Sequence, residues 1–134
     1  MNEKNKLVWI TGGTSGIGLA LVNTFLENGN YVLATSANIT KIENLKNTVN
    51  SSRLFTEVCD VKNKELINSV FNKYSNEYNF DCLINNAGIT AFKSFYNHSE
   101  DEIDSIIDTN LSGSLFTIKS VLPKMIVNNI GTII

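Results

Sequence analysis

Leu7-Val8-Trp9-Ile10-Thr11-Gly12-Gly13-Thr14-Ser15-Gly16-Ile17-Gly18 reads as an apolar strand that enters a glycine-rich turn and leaves it as a helix. Glycines at 12, 16 and 18 let the backbone turn sharply where a side chain would obstruct it. Such a turn aims several N–H groups and the positive end of a helix dipole at one point, where a pyrophosphate is the natural occupant. The strand before the turn and the helix after it are the context that this mechanism requires. No lysine follows the glycines, which excludes a phosphate-loop NTPase. The spacing G-x-x-x-G-x-G also departs from the commoner G-x-G-x-x-G.

Working outward, apolar runs alternate with helical patterns along the whole chain. Leu7–Thr11 is the first strand. Ile17, Leu21, Phe25 and Leu26 recur at helical spacing up to an exit at Asn28-Gly29-Asn30. Tyr31–Thr35 is the second strand. Thr40 with Glu43 forms a capping-box pattern ahead of Ile42, Leu45 and Val49. Arg53–Val58 is the third strand, and the stripe Leu66, Ile67, Val70, Phe71 and Tyr74 marks an amphipathic helix. Asp81–Asn85 is the fourth strand.

Ser99 with Glu102 forms a second capping box before Ile103, Ile106 and Ile107. A further helix runs from Leu111 to Ile126 and contains Pro123, which removes one backbone bond and is expected to bend it. Asn128–Gly131 is the exit, and Thr132-Ile133-Ile134 opens a fifth strand. Strands alternating with helices call for a parallel sheet covered on both faces, the doubly wound α/β arrangement.

Composition bounds the partners. The 134 residues suit one domain with a real core, 43% apolar and 18% charged residues are ordinary for a globular chain, and a net charge of −2 offers no footprint for nucleic acid. No segment has the apolar length of a membrane span or the pattern of a signal sequence, so a cytosolic location is expected. Cys59 and Cys82 have neither redox nor zinc spacing. On the third and fourth strands of a sheet ordered 3-2-1-4 they would lie about 14 Å apart at ~4.8 Å per strand, too far for a disulfide.

A second constellation, Asn85-Asn86-Ala87-Gly88, follows the fourth strand. In open parallel sheets ligands lie beyond the carboxyl ends of the strands, at the switch point between the first and fourth. Asparagine side chains there can tie neighbouring loops together, and the small residues leave room for a cofactor. His98 precedes a capping box without an evident partner and reads as a solvated helix-entry residue.

Together, Thr11–Gly18, Asn85–Gly88, Asp60-Val61 and Thr109-Asn110-Leu111 resemble the short-chain dehydrogenase/reductase family, in order and over the whole chain. The resemblance implies a Rossmann-like sheet of order 3-2-1-4-5, cut at the fifth strand, and an oxidoreductase that moves hydride between a nicotinamide dinucleotide and a small carbonyl or alcohol. It implies a pyrophosphate turn at Gly12, Gly16 and Gly18, with Thr14, Ser15 and Ile17 around it. Asp60 would accept the adenine amino group, with Val61 beside the ring. Asn86, Ala87 and Gly88 would wall the ribose and nicotinamide, and the main-chain carbonyl of Asn110 would hold a water of the proton relay.

Cofactor preference is expected from the residues after the second strand, where a carboxylate binds the ribose of NAD and a basic residue the 2′-phosphate of NADP. Thr35-Ser36-Ala37-Asn38 stands there, with Ala37 and Asn38 as contacts. Its hydroxyls and amide suit NAD or NADP, and the slight preference read here is for NADP.

The family's catalytic serine and its Tyr-x-x-x-Lys pair fall after the fifth strand and are not among these residues. The chain is therefore expected to be the N-terminal part of a single NAD(P)-binding domain, inactive by itself, since general acid catalysis contributes about 10²–10⁴-fold. The uncovered 111–126 helix and the Ile130–Ile134 edge would invite self-association. A non-catalytic dinucleotide-binding module and an interaction protein are the alternatives.

Overall fold

The computed structural model describes residues 5–134. Its elements are β1 (Asn5–Thr11), α1 (Gly16–Glu27), β2 (Tyr31–Ser36), α2 (Ile39–Thr48), β3 (Leu54–Val58), α3 (Lys64–Ser75), β4 (Tyr78–Ile84), α4 (Glu100–Ile107), α5 (Gly113–Asn128) and β5 (Thr132–Ile133). The strands form one sheet in the order β3-β2-β1-β4-β5, and every pairing is parallel. This is the order expected from the sequence, with β1 at the centre.

Successive residues of a strand point to opposite faces, and β1 shows the consequence. Leu7 and Trp9 enter a core with Leu33, Phe80 and Leu83, covered by Ile67 and Val70 of α3 and Val121 and Met125 of α5. Val8 and Ile10 enter a second core with Val32, Ala34 and Ile84, covered by Val22 of α1 and Leu45 of α2. Burial on both faces is why β1 and β2 read as continuous apolar runs rather than alternating ones. The Trp9 indole N–H is satisfied inside the first core by the Thr35 hydroxyl at 3.1 Å.

Several boundaries differ from those read in the sequence, each for a local reason. The α2 N-cap is Asn38, whose Oδ1 accepts the Lys41 N–H at 3.0 Å, so the Thr40–Glu43 pair lies inside the helix instead of starting it. Asparagine is as good a cap as serine and better than threonine, and it comes first along the chain. The Ser99–Glu102 capping box does form, with both reciprocal bonds. β4 begins at Tyr78, because Tyr78 and Phe80 pack with the aromatic cluster at the sheet's lower edge.

A bulge between Leu7 and Val8 leaves Asp81 as the extra residue of β4. Its carboxylate oxygens are buried without a hydrogen-bond partner among the described residues. Burial raises the Asp81 pKa above 3.8 against the pull of Lys6.

Between α4 and α5 the chain does not break. Asp108–Ser112 forms one π-helical turn that joins them, and α5 continues through Pro123 to a left-handed exit at Asn129, φ 49°. Leu111, Leu115, Leu122 and Ile126 are exposed along this stretch, as are Ile130, Ile133 and Ile134 at the β5 edge. Cys59, just past β3, and Cys82, in β4, are both free thiols. Burial lifts the Cys59 pKa to about 11, so it is an inert apolar filler.

Two clasps hold this framework. Glu57 on β3 accepts hydrogen bonds from Tyr74 Oη at 2.6 Å and Lys73 Nζ at 2.5 Å, pinning α3 to the sheet. Burial works to raise the Glu57 pKa, but the bonds from Lys73 and Tyr74 outweigh it and leave it below 4.5. The second clasp joins the carboxyl ends of β1 and β4. The Thr11 hydroxyl accepts the N–H groups of Asn86 and Ala87 at 3.1 and 3.0 Å and donates to the Ile84 carbonyl at 3.4 Å.

Thr11→Val keeps the shape of that side chain but strips the acceptor from two N–H groups. It should lower stability by about 1–3 kcal/mol in chemical denaturation, and an unchanged midpoint would refute the clasp. Glu57→Gln should cost about 1 kcal/mol at pH 7. A depressed carboxylate pKa stabilises the fold above its ordinary value of 4.5, and that contribution disappears as pH falls through the folded value. The gap between wild type and Glu57→Gln should therefore close in acid; a gap independent of pH would exclude the ionised pairing.

Candidate functional site

The site is built where the sheet's strands end. The carboxyl ends of β1, β2, β3 and β4 open into one cleft of about 410 Å³. Its size is that of a small-molecule site, and it lies at the switch point of the sheet, where β1 is flanked by β2 on one side and β4 on the other.

Three of the four glycines of the first turn serve different ends. Gly12, φ +65°, lies against the next loop, where a Cβ would come within 2.9 Å of the Ala87 Cα. Gly18 packs α1 onto that turn; a Cβ there would strike the Gly12 carbonyl and the Asn86 amide. Gly16, φ +53°, is the open one, with nothing within 4 Å of a Cβ position. Thus Gly12 and Gly18 let the pieces approach, while Gly16 leaves space.

That space faces the start of α1. Ser15 is its N-cap, yet no side chain caps the helix and no acidic residue occupies its first turn. The first N–H groups of a helix need partners, and here none is supplied by a neighbouring side chain. Thr14, Ser15 and Ile17 line the cleft at this point, with Ile17 75% exposed. Uncapped donors at the positive end of a helix dipole and an apolar shelf beside them fit a dinucleotide's pyrophosphate.

Opposite stands the loop after β4. Asn86 lines the cleft, but its amide donates to the carbonyls of Thr11 and Gly12, both at 3.1 Å. Its amide is therefore a brace between the two loops. Asn85 looks the other way, accepting from the buried Thr117 hydroxyl at 2.6 Å while its N–H donates to the Ile134 carbonyl at 2.8 Å. Ala87 and Gly88 present little bulk to the cleft wall.

At the third corner, Asp60 and Val61 line the cleft just past β3. Asp60 Oδ1 accepts the Lys62 N–H at 2.9 Å, which fixes the carboxylate in a tight turn, and Lys62 Nζ lies 3.9 Å from Oδ2. Val61 is buried and serves as the floor on which Gly113 of α5 rests, 2.6 Å from a Cβ position there.

Eleven of the residues singled out in the sequence thus meet at one cleft: Gly12, Thr14, Ser15, Ile17, Ala37, Asn38, Asp60, Val61, Asn86, Ala87 and Gly88. Gly16 and Gly18 shape it from behind. Asn110 is not in its wall. The Asn110 side chain forms a reciprocal pair with the main chain of Ile89, donating at 2.9 Å and accepting at 2.8 Å, so it secures the loop beyond Gly88. Its carbonyl accepts the Ser114 hydroxyl at 3.0 Å. His98 sits at the exit of a single 3-10 turn, with Nδ1 3.2 Å from the Ser94 carbonyl, away from the cleft.

Sequence reading missed Lys41, Cys59 and Ile89, which line the cleft together with Ser36 and Thr109. Lys41 was within reach: with the cap placed at Asn38 it occupies the third helical position, and helical side chains lean towards the N-terminus.

The family model for short chain dehydrogenases matches residues 6–134. The 3alpha-hydroxysteroid dehydrogenase of Mediterraneibacter gnavus is 31% identical, with 100% of this chain matching 55% of that protein. The NADP-dependent 3-hydroxy acid dehydrogenase of Escherichia coli is also 31% identical, over 96% of this chain and 52% of its own length. Among solved structures, serine dehydrogenase from Escherichia coli superposes with a TM-score of 0.87 at 29% identity, covering 95% of this chain and 59% of that one. The chain spans about half the length of the curated relatives it matches. With five parallel strands in the order 3-2-1-4-5, a cleft at their carboxyl ends and a family match along nearly its whole length, the chain belongs to the short-chain dehydrogenase family of NAD(P)-binding oxidoreductases.

Proposed function

We propose that the protein is an NADP(H)-dependent oxidoreductase acting on a small carbonyl or alcohol, and that residues 1–134 carry the cofactor-holding part of its single domain. The observation that carries this reading is the cleft itself, with an uncapped α1 N-terminus, the small Ala87 and Gly88 and a fixed Asp60 around one volume. The relative from Escherichia coli named as NADP-dependent and a structure of serine dehydrogenase complexed with NADP+ support the phosphorylated form. The cytosol is the compartment this reading assigns.

When bound, the nicotinamide supplies or accepts the hydride. The chain's own residues bind and orient it. The α1 N-terminus and the Thr14 and Ser15 backbone would hold the pyrophosphate, and the Asp60 carboxylate would accept the adenine amino hydrogens with Val61 against the ring. Ala37 and Asn38 would edge the adenine ribose. Ala87 and Gly88 leave the nicotinamide half room, and Asn86 keeps the two loops at their separation through its two carbonyl contacts.

The Asn110 side chain is committed to Ile89, so a part in proton transfer falls to its main-chain carbonyl, the atom that here receives the Ser114 hydroxyl. The acid–base Tyr-x-x-x-Lys of the family does not occur in these residues. The polypeptide 1–134 should therefore bind without turning over.

The exposed stripe Leu111, Leu115, Leu122 and Ile126 favours a second role for the same chain, association of copies through this face. Sedimentation at micromolar concentration tests it, and a strict monomer removes it.

Titration of the polypeptide with NADPH, followed by nicotinamide fluorescence, should show saturable binding. No NADPH should be oxidised with a panel of small aldehydes and ketones. A folded sample that shows no saturable binding would overturn the cofactor reading, and turnover would overturn the assignment of chemistry to the absent acid–base pair.

A further inference from the structure

We propose that the groove between α3 and α5 is a second binding site, and that it takes a small aromatic carboxylate. The groove encloses about 380 Å³, close to the volume of the cleft and within the range of small-molecule sites, and it shares no lining residue with the cleft. Helical spacing builds its walls. Lys64, Asn68, Phe71 and Asn72 fall at i, i+4, i+7 and i+8 on one face of α3, and Phe116 and Lys119 fall at i and i+3 on α5.

Three observations define the ligand. First, the floor is aromatic and held in place. Phe71 and Phe116 are half-buried and pack against the core beneath them. The Phe71 ring lies 5.1 Å from that of Phe80, which lies 5.6 Å from Trp9. A flat ring finds partners on such a floor. Second, the charge is of one sign. Lys64 and Lys119 line the groove and no carboxylate does. Neither ammonium has an ion pair among the described residues, whereas Lys62, Lys73 and Lys93 each face a carboxylate. The Lys64 ammonium sits instead 4.4 Å from the centroid of the Phe116 ring, over the floor itself. Like charges in one groove repel, and a bound carboxylate relieves both. Third, the side-chain amides of Asn68 and Asn72, one helical turn apart, bond no other described residue and offer donors and acceptors beside the floor. A bare phosphate would leave the rings uncovered, and a neutral arene would leave the ammonium groups without a counter-charge. An aromatic carboxylate answers to all three.

Both lysines are exposed, and α3 takes its cap from Asn63 through the Leu66 N–H, so replacing them should leave the fold intact. The test titrates the isotope-labelled polypeptide with 2-naphthoate and, separately, with the neutral 2-naphthamide, and follows amide resonances by NMR. Wild type should show saturable shifts at the side-chain amides of Asn68 and Asn72 and at the backbone of Phe116 and Lys119. Naphthoate should bind about tenfold more tightly than naphthamide, and a Lys64→Met/Lys119→Met double variant should lose that advantage while still binding the amide. Added salt should narrow the difference, because the charges are exposed.

Equal affinity of wild type for the acid and the amide would overturn the proposal, as would a double variant that keeps the preference. So would a wild type whose spectrum naphthoate leaves unchanged, or whose shifts centre on Ala87 and Gly88 of the cleft or on the exposed Leu111 and Leu115. No arm of the test uses a dinucleotide, so its failure leaves the function proposed above standing, and a failure of that function leaves the groove standing.

Discussion

The Thr11 hydroxyl is the smallest group on which the site depends. It stands at the carboxyl end of the central strand, 1% exposed, and spans the gap to the neighbouring strand with one donated and two accepted bonds. The Asn86 amide returns the tie by reaching back to the carbonyls of Thr11 and Gly12. These bonds set how closely two loops approach, and the glycines at 12 and 18 are what that closeness requires. Adding a side chain at either would push apart the elements that the hydrogen bonds draw together. The turn between β1 and α1 is therefore glycine-rich for two separable reasons. Packing consumes Gly12 and Gly18, and Gly16 supplies a left-handed backbone, φ +53°, on an open side.

The same economy explains the end of the next loop. A π-helical turn at Asp108–Ser112 puts an extra residue into the junction of α4 and α5, and such turns widen a helix locally. Asn110 uses the turn to present both ends of its amide to the Ile89 backbone. The loop between Asn86 and Ile89 is thus held at both ends, by Thr11 on one side and Asn110 on the other. A cleft wall made of Ala87 and Gly88 has no bulk of its own to keep its shape, and needs such anchors.

Most of the framework was legible because its signals are local or strictly periodic. The apolar run of β1 and the stripe of α3 each report one burial pattern, and the Ser99–Glu102 box is a pair of bonds within three residues. What misled was competition between equally good local signals. Thr40–Glu43 matches a capping box, yet Asn38 captures the helix start first, and that shift of two residues changes which side chain reaches the cleft. The partner of the Asn110 amide, Ile89, lies twenty-one residues away and leaves no mark in the sequence. The Thr11–Asn86 tie spans seventy-five residues and was legible only as a propensity of asparagine to join loops.

Charge placement adds what periodicity lacks. The chain is nearly neutral overall, so no net field draws a dinucleotide in, and attraction must come from fixed local donors. Two helices begin beside the cleft, and they are finished differently. α2 has its Asn38 cap and a lysine in the first turn, whereas α1 has neither a side-chain cap nor an acid. A capped helix end has fewer N–H groups to offer, so its pull on an anion depends on the lysine. An uncapped end offers the N–H groups directly. A diphosphate lying close to backbone, as proposed here for the cofactor, suits the uncapped α1 end.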